Sequence, residues 1–355
     1  MAGSVSRYAF INAKLRARIS KMLEPEFIST LIRSPSLNEA IQQLQGTPFA
    51  ALVDIYTKTG DLKLAELELL KKEISLYRDI KNHVADDVQQ VVTAMLLRFE
   101  VENLKNTLRL WFESALRQGP IIDTSVYLLR QNILNDIKID SILSAKTPED
   151  LIDSLKGTPY APIISLQIPW MLENKSVFRM EIALDHYFYD ELWNAIEKLP
   201  PRDLDIAHRI FSVEIDVQNI NRLIRFKNSY DFSFEELSRY LITKGSKIKG
   251  PLLSKAFSQK DAGEMLSILL EGSLSGLKTM LGQMSDNQAG QLTLIEKVLS
   301  EYLMQQVRQI LAGYPFTIGI VMAYFILKRN EIQTLITILN AKYYGLSEER
   351  IRSRL

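Results

Sequence analysis

The sequence predicts an all-α fold: three similar helical units around a pseudo-threefold axis, forming a funnel. Three observations carry that expectation. Apolar residues recur at intervals of three and four along most of the chain, which is the helical period. The 15 glycines and 12 prolines among 355 residues fall at a few junctions, leaving long stretches free to be helical. Finally, one pattern occurs three times: an acid, a polar residue three positions on, and an aliphatic residue four positions on. It reads Glu100, Asn103 and Leu104, then Asp216, Asn219 and Ile220, then Glu331, Thr334 and Leu335, with the acids 116 and 115 residues apart. Such spacing implies one unit repeated, over residues 1–120, 121–232 and 233–355. Three like units closing about an axis leave a central opening.

In the first unit, Ile11, Leu15, Ile19 and Met22 fall on one face of an opening helix, and Lys14, Arg18 and Lys21 line the other. That basic face is either an ordinary solvated surface or one that meets acidic lipid or an acidic partner. Met1 to Arg18 contains no apolar stretch of the kind a signal peptide needs. After Pro35 a short helix turns Leu37, Ile41 and Leu44 inward. It ends at Gly46-Thr47-Pro48-Phe49-Ala50, where proline's missing N–H stops propagation. A long helical region starts near Leu62, with a stripe of Tyr77, Ile80, Val84, Val88, Val91, Met95 and Phe99 leading into the first motif. Gly119-Pro120 closes the unit.

The second unit has its own marker, Gly157-Thr158-Pro159-Tyr160-Ala161, and Gly272 is a weakened third. Gly157 and Gly272 each precede the acid of their unit by 59 residues and Gly46 by 54, so the first unit is the shortened one. Pro159, Pro162 and Pro169 interrupt the helices here, and Pro200-Pro201 requires a turn. The third unit begins near Ser233. Lys244 to Pro251, with lysines at 244, 247 and 249, has the composition of a flexible connector; it is either merely solvated or available to headgroups or partner carboxylates. Pro315 to Leu327 is free of charge but well short of the roughly 20 residues a membrane-spanning helix needs, so a buried helix is expected.

The composition excludes several functions. A net charge of +1 argues against a general nucleic-acid binder, which neutralises several phosphates with a basic face. With no cysteine there is neither a disulfide nor a thiolate metal site. The nearest approach to a phosphate-binding loop, Gly272 to Thr279, has the wrong spacing and follows a helical pattern. His83, His186 and His208 are scattered, without metal-ligand spacing. Asp86-Asp87 lacks the third acid of a magnesium–diphosphate motif. No catalytic, cofactor or metal residue is therefore assigned.

Positions 0, 3 and 4 of a helix share one arc, so Glu100, Asn103 and Leu104 lie together, as do Asp216, Asn219 and Ile220. Arg109 and Arg225, nine residues after the acid, point the other way. Such a helix suits a wall between a domain interior and a shared opening. The structural alternative is that the acid caps or pairs with a neighbour while the asparagine binds a loop carbonyl.

The C-terminal run Tyr314-Pro315-Phe316-Thr317-Ile318-Gly319, the segment Glu331 to Leu335 and the tail Gly345-Leu346-Ser347-Glu348-Glu349-Arg350-Ile351 resemble the C-type subunit of the V/A-type ATP synthase/ATPase, the counterpart of the d-type subunit of the vacuolar ATPase. The resemblance extends from Tyr8 to Leu15 through Val101 to Lys105 and Asp216 to Ile220. Thr334 and Asn340 depart from the Asn and Arg of the other two copies. The resemblance implies a monomeric, non-catalytic adaptor, one per complex, peripheral on the cytoplasmic face of the membrane. It would dock the central stalk (D- and F-type subunits) onto the rotor ring (c/K-type subunit), with the a/I-type membrane subunit as a further neighbour. Glu100, Asn103, Asp216, Asn219 and Glu331 are then the candidate stalk or ring contacts. A free-standing helical scaffold and an all-α Mg-dependent diphosphate enzyme are the competing readings.

Overall fold

The computed structural model describes residues 2–116, 124–229, 233–259, 262–270 and 288–355, and among them every regular element is helical. They divide into two compact units: residues 1–21, 196–330 and 354–355 in one, 22–195 and 331–353 in the other. No described helix is long and apolar enough to cross a membrane.

In chain order, α1 (Ala2–Ile19) buries Tyr8, Ile11 and Leu15. It stops at Ile19, so Met22, expected on the same apolar face, lies past its end. α2 (Pro25–Arg33) opens on a proline, whose absent N–H has no intrahelical partner in the first turn anyway. α3 (Leu37–Gln42) is capped by Ser36, whose side chain accepts the Glu39 N–H. α4 (Ala50–Thr59) ends at Gly60, which turns the chain at φ 67°. α5 (Leu62–Lys81) starts at Asp61, which accepts the N–H groups of Lys63 and Leu64. α6 (Asp86–Ala115) follows after a turn over 82–85.

That turn divides the expected continuous stripe from Tyr77 to Phe99 between two helices, although it contains neither glycine nor proline. Asp86 and Asp87 occupy the first turn of α6, where carboxylates complement the positive end of the helix dipole. Their pairing thus has a local structural cause. Next come the short helices α7 (Ile139–Ser144), α8 (Pro148–Ser154), α9 (Tyr160–Ser165) and α10 (Ile168–Asn174), then the long α11 (Phe178–Ile196) and α12 (Pro201–Ser229). α13 (Phe234–Ser238), α14 (Gly250–Phe257), α15 (Ala262–Leu270), α16 (Gln288–Ala312), α17 (Gly319–Tyr343) and α18 (Glu348–Arg354) complete the chain. Of the charge-free run Pro315 to Leu327, Thr317 to Phe325 are all buried, whereas Pro315, Phe316, Ile326 and Leu327 are half-buried and the helix begins only at Gly319.

The core of the unit holding residues 22–195 joins the two ends of the sequence. Leu31, Ile41, Leu44, Leu52 and Leu69 from α2 to α5 pack in one cluster with Leu335, Ile338 and Leu339 of α17 and Ile351 of α18. The threonines of the two glycine–threonine–proline markers make the same hydrogen bonds, although Gly157 sits at φ 81° and Gly46 has no positive φ. Thr47 donates its hydroxyl to the Leu44 carbonyl at 2.7 Å and accepts the Phe49 N–H; Thr158 donates to the Leu155 carbonyl at 2.7 Å and accepts the Tyr160 N–H. Gly119-Pro120, the boundary at 120/121 and Gly272 lie outside the described residues.

Candidate interaction site

The repeated asparagines do the same thing in two places. Asn103 donates its amide to the Leu129 carbonyl and accepts the Leu129 N–H, both at 2.9 Å. Asn219 donates to the Ile242 carbonyl at 2.7 Å and accepts the Ile242 N–H at 2.8 Å. A carboxamide matches a peptide group donor for acceptor, so each asparagine pairs with one backbone residue as a neighbouring β-strand would.

The repeated acids hold the same loops five and six residues further on. Glu100 Oε2 accepts the N–H groups of Leu134 and Asn135 at 2.7 and 2.8 Å. Its Oε1 accepts the Asn135 amide and the Tyr160 hydroxyl, each at 2.6 Å. Asp216 Oδ1 accepts the Ser246 hydroxyl at 2.6 Å and the N–H groups of Lys247 and Ile248 at 3.0 and 3.2 Å. In the third copy, Glu331 Oε1 accepts the Leu23 N–H at 2.6 Å. Thr334 has no amide with which to form the paired bond.

The electrostatics are those of buried acids held by hydrogen bonds. Burial, and then the Glu100 charge, push the Tyr160 phenol far above its ordinary value, so it stays a neutral donor. Burial also raises Asp216 above the usual carboxylate range against the opposing hydrogen bonds from Ser246, Ile248 and Lys247. Asp216 Oδ2 is buried without any donor. On the opposite side of α6, Lys105 bonds Glu102 and Asp185 at 2.9 Å each, and Arg109 pairs with Glu181, which ties α6 to α11. Burial lowers the Lys105 pKa, but Asp185 and then Glu102 more than offset it and leave it raised.

Glu100, Asp216 and Asn219 are therefore buried and occupied, Glu331 is nearly so, and Asn103 is half-buried. The surface they shape belongs to the loops they hold, which expose Arg130, Gln131, Asn132 and Asp136 in one case and Thr243, Lys244, Lys247 and Lys249 in the other. The Lys244 to Pro251 segment, expected to be flexible, instead has its backbone fixed by Asp216. The pairing of the asparagines with Leu129 and Ile242 is not among the sequence expectations, yet a signal exists: Tyr127-Leu128-Leu129 and Tyr240-Leu241-Ile242 both end on the residue that an asparagine pairs with. Among the described residues, no group of three or more His, Cys, Asp or Glu could hold a metal ion.

A sequence model described as ATP synthase (C/AC39) subunit matches residues 11–354. The chain is 27% identical over 338 residues to the C subunit of the A-type ATP synthase from Methanosphaera stadtmanae, covering 94% of this chain and 84% of that one. It is 24% identical over 363 residues to the protein of the same name from Methanocaldococcus jannaschii, covering 100% and 88%. With that of Pyrococcus abyssi it is 22% identical over 357 residues, covering 97% and 89%.

Proposed function

Because the chain belongs to the ATP synthase (C/AC39) subunit family, we propose that it is the non-catalytic adaptor that docks the central stalk, made of D- and F-type subunits, onto the c/K-type rotor ring of a rotary ATPase or ATP synthase. It sits, one copy per complex, on the cytoplasmic face of the membrane, with the a/I-type subunit nearby. Residues 1–120, 121–232 and 233–355 are three units around a pseudo-threefold axis, and their funnel receives the foot of the stalk.

The observation that supports this reading best is the clamp made twice, by Glu100 with Asn103 and by Asp216 with Asn219. A part that transmits torque needs its contact loops fixed to rigid helices, and a buried carboxylate that accepts backbone N–H groups does this with charge-assisted bonds. Glu100, Asn103, Asp216, Asn219 and Glu331 act on the stalk or ring through the segments they hold.

The test is to remove this protein from the assembled complex. ATP hydrolysis by the soluble head should persist while ATP-driven ion movement across the membrane is lost. Undiminished pumping without it overturns the proposal.

A further inference from the structure

In the unit that holds residues 196–330, a recess of about 220 Å³ lies where the first turns of α12 meet the end of α16 and the turn into α17. Arg202 and Arg209, seven residues apart and so on one face of α12, line it together with Tyr314 and Thr317. The Arg202 guanidinium stacks over the Tyr314 ring, 4.1 Å from its centroid. Stacking fixes the plane and leaves the edge, with its N–H fork, free to receive an oxyanion. The Arg209 Nε is shielded from solvent and has no acceptor. Asp205, on the rim, is exposed.

The walls of the recess are held in place. The Tyr314 hydroxyl shares a hydrogen bond with Ser4 Oγ at 3.0 Å. Asp203 accepts the Ile318 N–H at 2.9 Å and the Tyr8 hydroxyl at 2.6 Å, which anchors the turn that carries Tyr314 and Thr317. Arg16 donates to the Leu311 carbonyl at 3.1 Å. Two arginines lining one recess, one of them with its guanidinium plane fixed by stacking, form the arrangement that an incoming anion completes.

We propose that this recess receives one carboxylate side chain from a partner polypeptide, held bidentately by Arg202, with the Arg209 cation in the wall adding a second positive charge. Size favours a side chain over a nucleotide, because small-molecule pockets usually run from about 300 to 1,000 Å³. The inference rests on the adaptor reading, with the central stalk supplying the acid.

The test uses the full chain and the purified D- and F-type stalk pair, with affinity measured for the native protein, Arg202→Gln and Arg209→Gln, and melting temperature followed alongside. Arg202 is exposed, so its replacement leaves the fold intact even if Arg209→Gln does not. The expected result is stalk binding weakened about tenfold or more by Arg202→Gln at unchanged melting temperature, with the difference shrinking as salt rises. If the native chain binds the stalk and Arg202→Gln binds it equally well, the recess assignment fails and the adaptor reading stands. If the native chain does not bind the stalk at all, both fail. Inorganic phosphate at low millimolar concentration should compete only weakly; phosphate that saturates the recess and leaves stalk binding untouched marks a small-anion site and overturns the proposal.

Discussion

The Glu331 carboxylate accepts the Leu23 N–H at 2.6 Å across 308 residues of chain, so the end of the sequence holds its beginning. Lys342, further along the same helix, donates to the carbonyls of Ile32 and Ser34 at the end of α2. Leu335 and Leu339 lie fully buried in the core between these two polar ties. Leu335→Ala and Leu339→Ala should each cost about 3 kcal/mol in chemical denaturation. Hydrogen exchange should quicken in α2 to α5 as well as in α17. Faster exchange in α17 alone would show that the shared core is not cooperative.

Amide replacements separate the two fully formed clamps. Each oxygen of Glu100 accepts two donors, so in Glu100→Gln the new NH₂ either meets the Leu134 and Asn135 N–H groups or forces the Tyr160 hydroxyl and the Asn135 amide to turn round and accept. About 2 kcal/mol should be lost. All three donors to Asp216 converge on Oδ1, and Oδ2 has none, so Asp216→Asn can keep every bond while removing a buried charge. Its cost should stay below about 1 kcal/mol. Equal losses in the two variants would contradict these geometries.

The same acid makes stability depend on pH. Burial raises the Asp216 pKa in the fold above its ordinary 3.8. The folded chain therefore holds that proton more tightly than the unfolded chain does, and the resulting stabilisation is complete below about pH 3.8 and is lost as pH rises through the raised value. Asp216→Asn has no such titration. Native stability minus variant stability, from urea unfolding at several pH values, should fall with rising pH across that window. A difference that grows there refutes the assignment.

Lys105 is 7% exposed and sits between Glu102 and Asp185. Lys105→Met keeps the apolar stem and removes the cation that both Asp185 and Glu102 bond. A loss of about 3 kcal/mol is expected, partly recovered in Lys105→Met combined with Asp185→Asn. No recovery in the double variant would mean that the pair is not coupled.

Much of this was legible in the sequence, and the physical reasons are specific. The acid and asparagine recur at fixed offsets because a helix places positions 0 and 3 on one face, so Glu100 with Asn103 and Asp216 with Asn219 could be matched without a structure. Their partners could not be read. Leu129 and Ile242 are chosen by loops whose course depends on tertiary packing, and pairing to backbone leaves no side-chain signature. The bonds observed are those of the structural alternative, an acid binding a neighbouring segment and an asparagine binding a loop carbonyl. The break at 82–85 escaped notice because apolar spacing continues through it and no glycine or proline marks it. The union of residues 331–353 with 22–195 was equally hidden, since contact between distant segments has no period.

That union imposes a schedule on biosynthesis. The apolar faces that carry Leu31, Ile41, Leu44, Leu52 and Leu69 leave the ribosome long before the residues that cover them, Leu335 to Ile351, are made. At about 5 to 20 residues per second, the interval is on the order of 15 to 60 s. Throughout it a nascent chain carries an unfinished, adhesive surface. A polysome making this protein is crowded with such half-cores, and a message cut short before the codon for Leu335 yields only chains that lack the residues to close theirs.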